Sequence, residues 1–203
     1  MYLTKILISK QDICKHRLFD NFKWKQVLCR AIPPEVNEEG RSRFFLFRVF
    51  DKKDQTEVLV QSERSPMAQP IGTWSTKQIP SAFYGWSRYQ FDCVACPTEK
   101  KVQYTADGKR KRQGKRIALS KQEQAPWMSN KLLCIGAQVI SMTSTPKGYT
   151  SIPHKGSSVT STVAHFSGIL MVTDRNAFIQ GVSEGIGSER AFGYGLVLLK
   201  PIA

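Results

Sequence analysis

Positive charge is concentrated where it could meet a polyanion. Between Glu99 and Arg116 the chain carries Lys100, Lys101, Lys109, Arg110, Lys111, Arg112, Lys115 and Arg116, opposed only by Glu99 and Asp107. Asp107-Gly108 is a turn dipeptide, so the spacing predicts a hairpin with the cationic cluster at its tip. Lysine and arginine on a projecting ribbon reach the phosphates lining a narrow A-form groove, whose base edges side chains cannot easily read. Each such contact releases counterions and adds salt-sensitive affinity. A solvated basic loop is the other reading, and the charge of the whole chain favours contact with nucleic acid.

A second feature is Gly185–Gly195, GIGSERAFGYG. Closely spaced glycines let backbone amides approach a phosphate, and consecutive N–H groups can form an anion nest. Gly185, Gly187, Ser188, Arg190 and Gly193 are the candidate phosphate contacts. The segment is not a dinucleotide fingerprint, because Arg190 stands where the third glycine belongs, and it has no Gly-Lys-Ser/Thr of a P-loop. A glycine helix cap followed by a strand entry is an equal alternative.

Three histidines are present, His16, His154 and His165. His16 lies among Lys15, Arg17, Lys23 and Lys25, a setting in which imidazole could act as general base or acid in RNA cleavage. His154 sits beside Lys155, which could touch RNA. His165 falls in a strand-like run and reads as structural. Cys93 and Cys96 form a lone C-x-x-C with no second pair or histidines at zinc-site spacing, so packing is the expected role.

The elements that must position these groups are legible from periodicity. Tyr2–Ser9 alternates and is expected to be a strand. A polar loop with His16 follows. Phe22–Ile32 has helical spacing, with Trp24, Leu28 and Ala31 on one face, and Pro33-Pro34 ends it. Arg43–Phe50, Glu57–Ser62 and Trp74–Ile79 read as strands. Arg88–Ala95 begins the pattern again. Ser120–Leu133 is a helix opened by Ser120-x-x-Glu123, with Pro126 marking either a kink or a later start. Ala137–Thr143 and Val163–Val172 are expected strands around a Pro/Gly/Ser/Thr-rich loop at Thr145–Ser158. Asp174–Glu184 is a helix and Gly193–Leu199 the last strand. The expectation is an α+β fold of two tandem ferredoxin-like (βαββαβ) domains, residues 1–85 and 86–203.

The 203 residues include 30 Lys+Arg against 16 Asp+Glu, a formal charge of +14. Self-repulsion of that size is relieved by a polyanion, with nucleic acid the first choice and an anionic membrane the rival. No apolar run approaches the ~20 residues of a spanning helix. Five cysteines, an odd number, suit reduced thiols in a cytoplasmic compartment.

These features together resemble CasE, the CRISPR repeat-processing endoribonuclease family of type I-E Cascade. Met1-Tyr2-Leu3-Thr4-Lys5 is similar to the family's opening. Phe91-x-x-x-Ala95-x-Pro97 is similar to its Phe-to-Ala-Asn-Pro strand, with Cys96 in place of asparagine. Gly114–Leu119, followed by Trp127 and Leu132, resembles its hairpin return and helix, and Gly185–Gly195 its glycine-rich signature. The resemblance runs nearly end to end. It implies two ferredoxin-like domains, binding of a CRISPR repeat stem-loop as pre-crRNA and mature crRNA, and cleavage by 2′-hydroxyl attack without metal or other cofactor. It implies partnership with other Cascade subunits and no membrane role.

One departure from the family pattern concerns chemistry. The family carries a tyrosine and, three residues later, a catalytic histidine on its first helix. Alignment through Gln26, Leu28 and Ile32 puts Phe22 and Lys25 at those positions. Phenylalanine exchanges no proton. Lysine, with a reference pKa of ~10.4, stabilises a phosphorane or donates a proton more readily than it accepts one. Three outcomes stay open: altered chemistry at Lys25, substitution by His16, or binding without efficient cleavage.

Overall fold

Two four-stranded antiparallel sheets, each with the strand order of a ferredoxin-like unit, make up the scaffold. They are seen in a computed structural model that describes residues 1–32, 45–102, 107–109, 115–154 and 157–202. The first sheet contains β1 (Tyr2–Ser9), β2 (Phe45–Asp51), β3 (Gln55–Ser62) and β4 (Thr73–Gln78), ordered β2-β3-β1-β4. Ile6 and Ile8 of β1, Phe47 of β2, Val58 and Val60 of β3 and Trp74 of β4 are buried on one face. That face is covered by helix α2 (Asn21–Ala31), whose Trp24, Leu28 and Ala31 form the expected stripe. Burying each large side chain of this set contributes roughly 1.5–3 kcal/mol. Asp20 caps α2 by accepting the Lys23 amide at 2.8 Å. Residues 63–72 link β3 to β4 without a helix, so this unit keeps four strands and lacks the second crossover helix.

The polar loop expected around His16 is instead a helix, α1 (Lys10–His16). Ser9 caps it by accepting the Asp12 amide at 3.1 Å, and Ile13 buries its one apolar anchor in the first core. Seven residues with a single buried position leave no periodic stripe for sequence to reveal.

The second sheet is complete. Strands β5 (Arg88–Ala95), β8 (Ala137–His154), β9 (Ser157–Val172) and β10 (Val197–Pro201) run in the order β10-β5-β9-β8. Alternate residues of β5, Tyr89, Phe91, Cys93 and Ala95, are buried against α3 (Lys121–Cys134) and α4 (Arg175–Glu184). The capping box forms as spelled, with Glu123 accepting from the Ser120 amide at 2.8 Å. Helix α3 passes through Pro126 rather than starting at it. Cys93 and Cys96 are both fully buried, and burial pushes each thiol up to about 12.

Two expectations in this half are corrected. The Thr145–Ser158 loop is largely strand: β8 and β9 form one long hairpin, with register shifts between Val139 and Ser141 and between Pro146 and Gly148. Pro146 stays opposite Ala164 beside a bulge at Lys147, and β8 is an edge strand, where a missing donor is tolerated. The last strand starts at Val197, not Gly193, because residues 190–192 form a 3-10 turn held between left-handed Glu189 and Gly193. Between β5 and α3, β6 (Thr98–Lys101) pairs with β7 (Lys115–Ala118) as the expected hairpin, Lys101 opposite Lys115. Arg110, Lys111 and Arg112, and likewise Lys155, lie outside the described residues.

The two sheets are tied across their junction. Gln61 of β3 donates to the Val182 carbonyl of α4 at 3.1 Å. Arg48 of β2 pairs with Asp92 of β5, whose other oxygen is 2.7 Å from His165 Nε2 on β9. His165 is therefore structural, as expected. Burial acts to raise the Asp92 pKa, but the hydrogen bonds and charges of Arg48 and His165 outweigh it and hold the carboxyl below its ordinary value.

Candidate nucleic-acid interface

The loop between α4 and β10 lies between two clefts. Gly185 caps α4, its amide donating to the Gly181 carbonyl at 2.9 Å. Ile186 donates to the Gly195 carbonyl at 2.9 Å and Gly195 to the Val94 carbonyl at 2.8 Å. The amides of Gly185, Ile186, Phe192 and Gly195 are thus committed to backbone carbonyls. Gly195 is required by space as well as conformation: its φ is +79°, and an added Cβ would lie 2.2 Å from the Ile186 carbonyl oxygen.

On one side of the loop lies a cationic cleft of about 400 Å³, lined by Lys100 and Arg116 of the hairpin, Lys131 of α3, and Gly185, Gly187 and Arg190. Lys100, Arg116 and Lys131 are exposed. Lys101 and Lys109 are also exposed, in β6 and beyond its end. One nitrogen of Arg190 donates to the Glu184 and Gly185 carbonyls at 2.7 and 3.1 Å, so this arginine braces the loop as well as lining the cleft. Ser188 is buried, and its hydroxyl donates to the Cys96 carbonyl at 3.2 Å while accepting from Thr98. Ser188 therefore bolts the loop to the root of the hairpin. The cleft has the material for phosphate contacts: exposed cations on a projecting ribbon above a braced floor.

On the other side lies a cleft of about 360 Å³, lined by Phe19, Asp20, Asn21, Phe22, Thr150, Ser151, Phe192 and Tyr194. Helix α2 supplies one wall, the long β8–β9 hairpin another and the glycine-rich loop the third. Phe22 stacks on Phe192 with ring centroids 6.4 Å apart. Lys25, one helical turn on, holds its ammonium 4.6 Å from the Phe192 centroid, a cation–π contact that points the charge at the loop. Gly193 sits close against Asn21, where a Cβ would come within 3.0 Å of its amide nitrogen. The Tyr194 phenol is half-buried beside Thr150 and Asn21; burial raises its pKa more than those hydrogen bonds lower it.

Lys25 and the glycine-rich loop, some 160 residues apart, are thereby brought together. His16 is exposed at the end of α1; like Lys25 it lines neither cleft, and among the described residues it has no contact with the loop comparable to that of Lys25 with Phe192. Sequence reasoning missed Asn21, Phe192, Tyr194 and Thr150. The one available signal was the pair of aromatic residues beside Gly193, since aromatic side chains between glycines must pack somewhere or meet a ligand.

Residues 1–201 match the family described as CRISPR associated protein. The CRISPR system Cascade subunit CasE of Escherichia coli (strain K12) is 28% identical over 211 residues, with both chains fully covered. The crystal structure of the CRISPR-associated protein Cas6e from E. coli str. K-12 is similar at a TM-score of 0.74 and 26% identity, covering 100% of each chain. Thermus thermophilus Cse3, bound to an RNA representing a pre-cleavage complex, has a TM-score of 0.76, 23% identity and 98% coverage of each chain. The last likeness is one of fold.

Proposed function

Because the chain belongs to the CRISPR associated protein family, we propose that it is an endoribonuclease that binds the stem-loop of a CRISPR repeat, cuts it and stays on the product as a Cascade subunit. The observation that carries this reading is the ammonium of Lys25 over the Phe192 ring of the glycine-rich loop, whose residues 185–190 line a separate cleft with the cations of the β6–β7 hairpin. The full-length relation to the Cascade subunit CasE supports it.

In the reaction the ribose 2′-hydroxyl attacks the adjacent phosphorus. The O2′–P bond forms as the P–O5′ bond breaks, leaving a cyclic phosphate and a 5′-hydroxyl. Charge accumulates on the non-bridging oxygens of the phosphorane, where a fixed cation lowers the barrier. Lys25 supplies that cation, and with no proton-transfer partner at Phe22 its part is electrostatic. Lys100, Lys101, Lys109, Lys115, Arg116 and Lys131 hold the stem by its phosphates, and Arg110, Lys111, Arg112 and Lys155 extend that set. The two halves, divided near residue 85, each contribute: α2 carries the cation, and the second unit carries the hairpin and loop.

The test is incubation of the protein with cognate repeat RNA in EDTA. One discrete product with a cyclic phosphate end is expected. Binding without any product would leave an RNA-holding subunit in place of an enzyme. Lys25→Ala and His16→Ala, assayed side by side, identify which residue the cleavage depends on.

A further inference from the structure

We propose that Tyr194 is a further catalytic residue, its phenol protonating the 5′-oxygen that leaves as the RNA strand breaks. The inference rests on the endoribonuclease reading and deepens it. Helix α2 offers no phenol, since Phe22 stands where the family resemblance implies a tyrosine. The facing loop offers one instead: Tyr194 lines the same cleft as Phe22 and Phe192. The side chains of Thr150 on the β8–β9 hairpin and Asn21 on α2 line the cleft with it and act on its phenol, lowering its pKa against the effect of burial. The left-handed Gly193 immediately before it sets the turn that presents the ring.

Elimination among the lining residues points the same way. Phe19, Phe22 and Phe192 carry no exchangeable proton. The carboxyl group of Asp20 is committed to the Lys23 amide as a helix cap. The amide of Asn21 and the alcohols of Thr150 and Ser151 are far weaker acids than a phenol. A phenol is protonated at neutral pH, the state a proton donor needs, and burial pushes its pKa further up. The step balances simply. The phenol O–H bond breaks as the new O5′–H bond forms, the proton of the attacking 2′-hydroxyl passes to hydroxide, and the phenolate recovers its proton from water.

The test compares wild type with Tyr194→Phe in single-turnover cleavage of two RNAs. One is the repeat RNA; the other carries sulfur in place of the bridging 5′-oxygen at the cut site. A thiolate departs without a proton. Tyr194→Phe is expected to slow the oxygen substrate by ~10²-fold, the size of a lost general acid. It is expected to match wild type on the sulfur substrate and to bind an uncleavable 2′-deoxy repeat with unchanged affinity. Equal slowing on both substrates, or no slowing on either, overturns the proposal. A wild-type protein that binds both RNAs and cuts neither overturns the endoribonuclease reading, and this inference with it.

Discussion

The two clefts flanking the glycine-rich loop are made of opposite materials. The one beside the hairpin is lined by exposed lysine and arginine from three separate elements. The one beside α2 is lined by three phenylalanine rings, Tyr194, Asp20 and neutral polar groups, and Lys25 lies over one of those rings without lining the cleft itself. Phosphate binding tolerates loose geometry, because each contact adds through charge and counterion release. Bond breaking requires groups fixed within fractions of an ångström, and rings packed on glycines provide that rigidity. On the proposed function, the loop separates holding from cutting while sharing its backbone between the two clefts.

The separation can be broken deliberately. The largest effect is expected from Lys25→Ala, which should lower the single-turnover rate by ~10²–10³-fold, as for loss of one oxyanion donor. RNA affinity and its salt dependence should stay as in wild type; a parallel loss of affinity would merge the two clefts into one function. Next is the triple variant Lys100→Ala, Arg116→Ala and Lys131→Ala. Its plot of log affinity against log salt, measured by filter binding, should flatten by about 2 units, at ~0.7–0.9 for each phosphate no longer neutralised. At saturating RNA its cleavage rate should be preserved.

Gly195→Ala acts on both sides at once. Forcing a Cβ onto the Ile186 carbonyl in a left-handed conformation should cost ~1–3 kcal/mol, read as a lower urea midpoint. Both binding and cleavage should fall together. The smallest effect concerns the junction between sheets. Asp92 has a lowered pKa in the folded state, so its contribution is present above the ordinary aspartate value of ~3.9 and is lost as the pH falls through its lower folded value. Asp92→Asn should lower the thermal midpoint slightly at neutral pH and flatten the midpoint's decline in that acid range.

The architecture was legible because its signals are local. Ser120-x-x-Glu123 marks a helix start that forms as spelled, and Asp107-Gly108 marks the hairpin whose stem pairs Thr98 with Ala118. Where local signals compete, the sequence reading failed. Ser9-x-x-Asp12 was there to announce α1, yet one buried residue gave no stripe. Pro146 and Gly148 argued for a loop, yet both stand in the ladder on either side of a one-residue bulge. The cleft divides in the same way. Lys25 could be placed by resemblance, and the hairpin cations by charge density. Asn21, Thr150 and Tyr194 meet only through tertiary contact, across separations that no spacing rule covers.

The contact between Phe22 and Phe192 also has a consequence for the timing of activity during synthesis. Ribosomes deliver α2 about 150 residues before the loop at 185–195, while domains fold as they emerge. A nascent chain that has completed its first sheet therefore displays Lys25 with nothing opposite it. The cutting cleft comes into being only when the final strand docks and draws residues 190–194 against α2. On the proposed function, a half-made chain offers RNA a basic surface without the cleft, because the order of residues along the polypeptide brings the loop out well after α2.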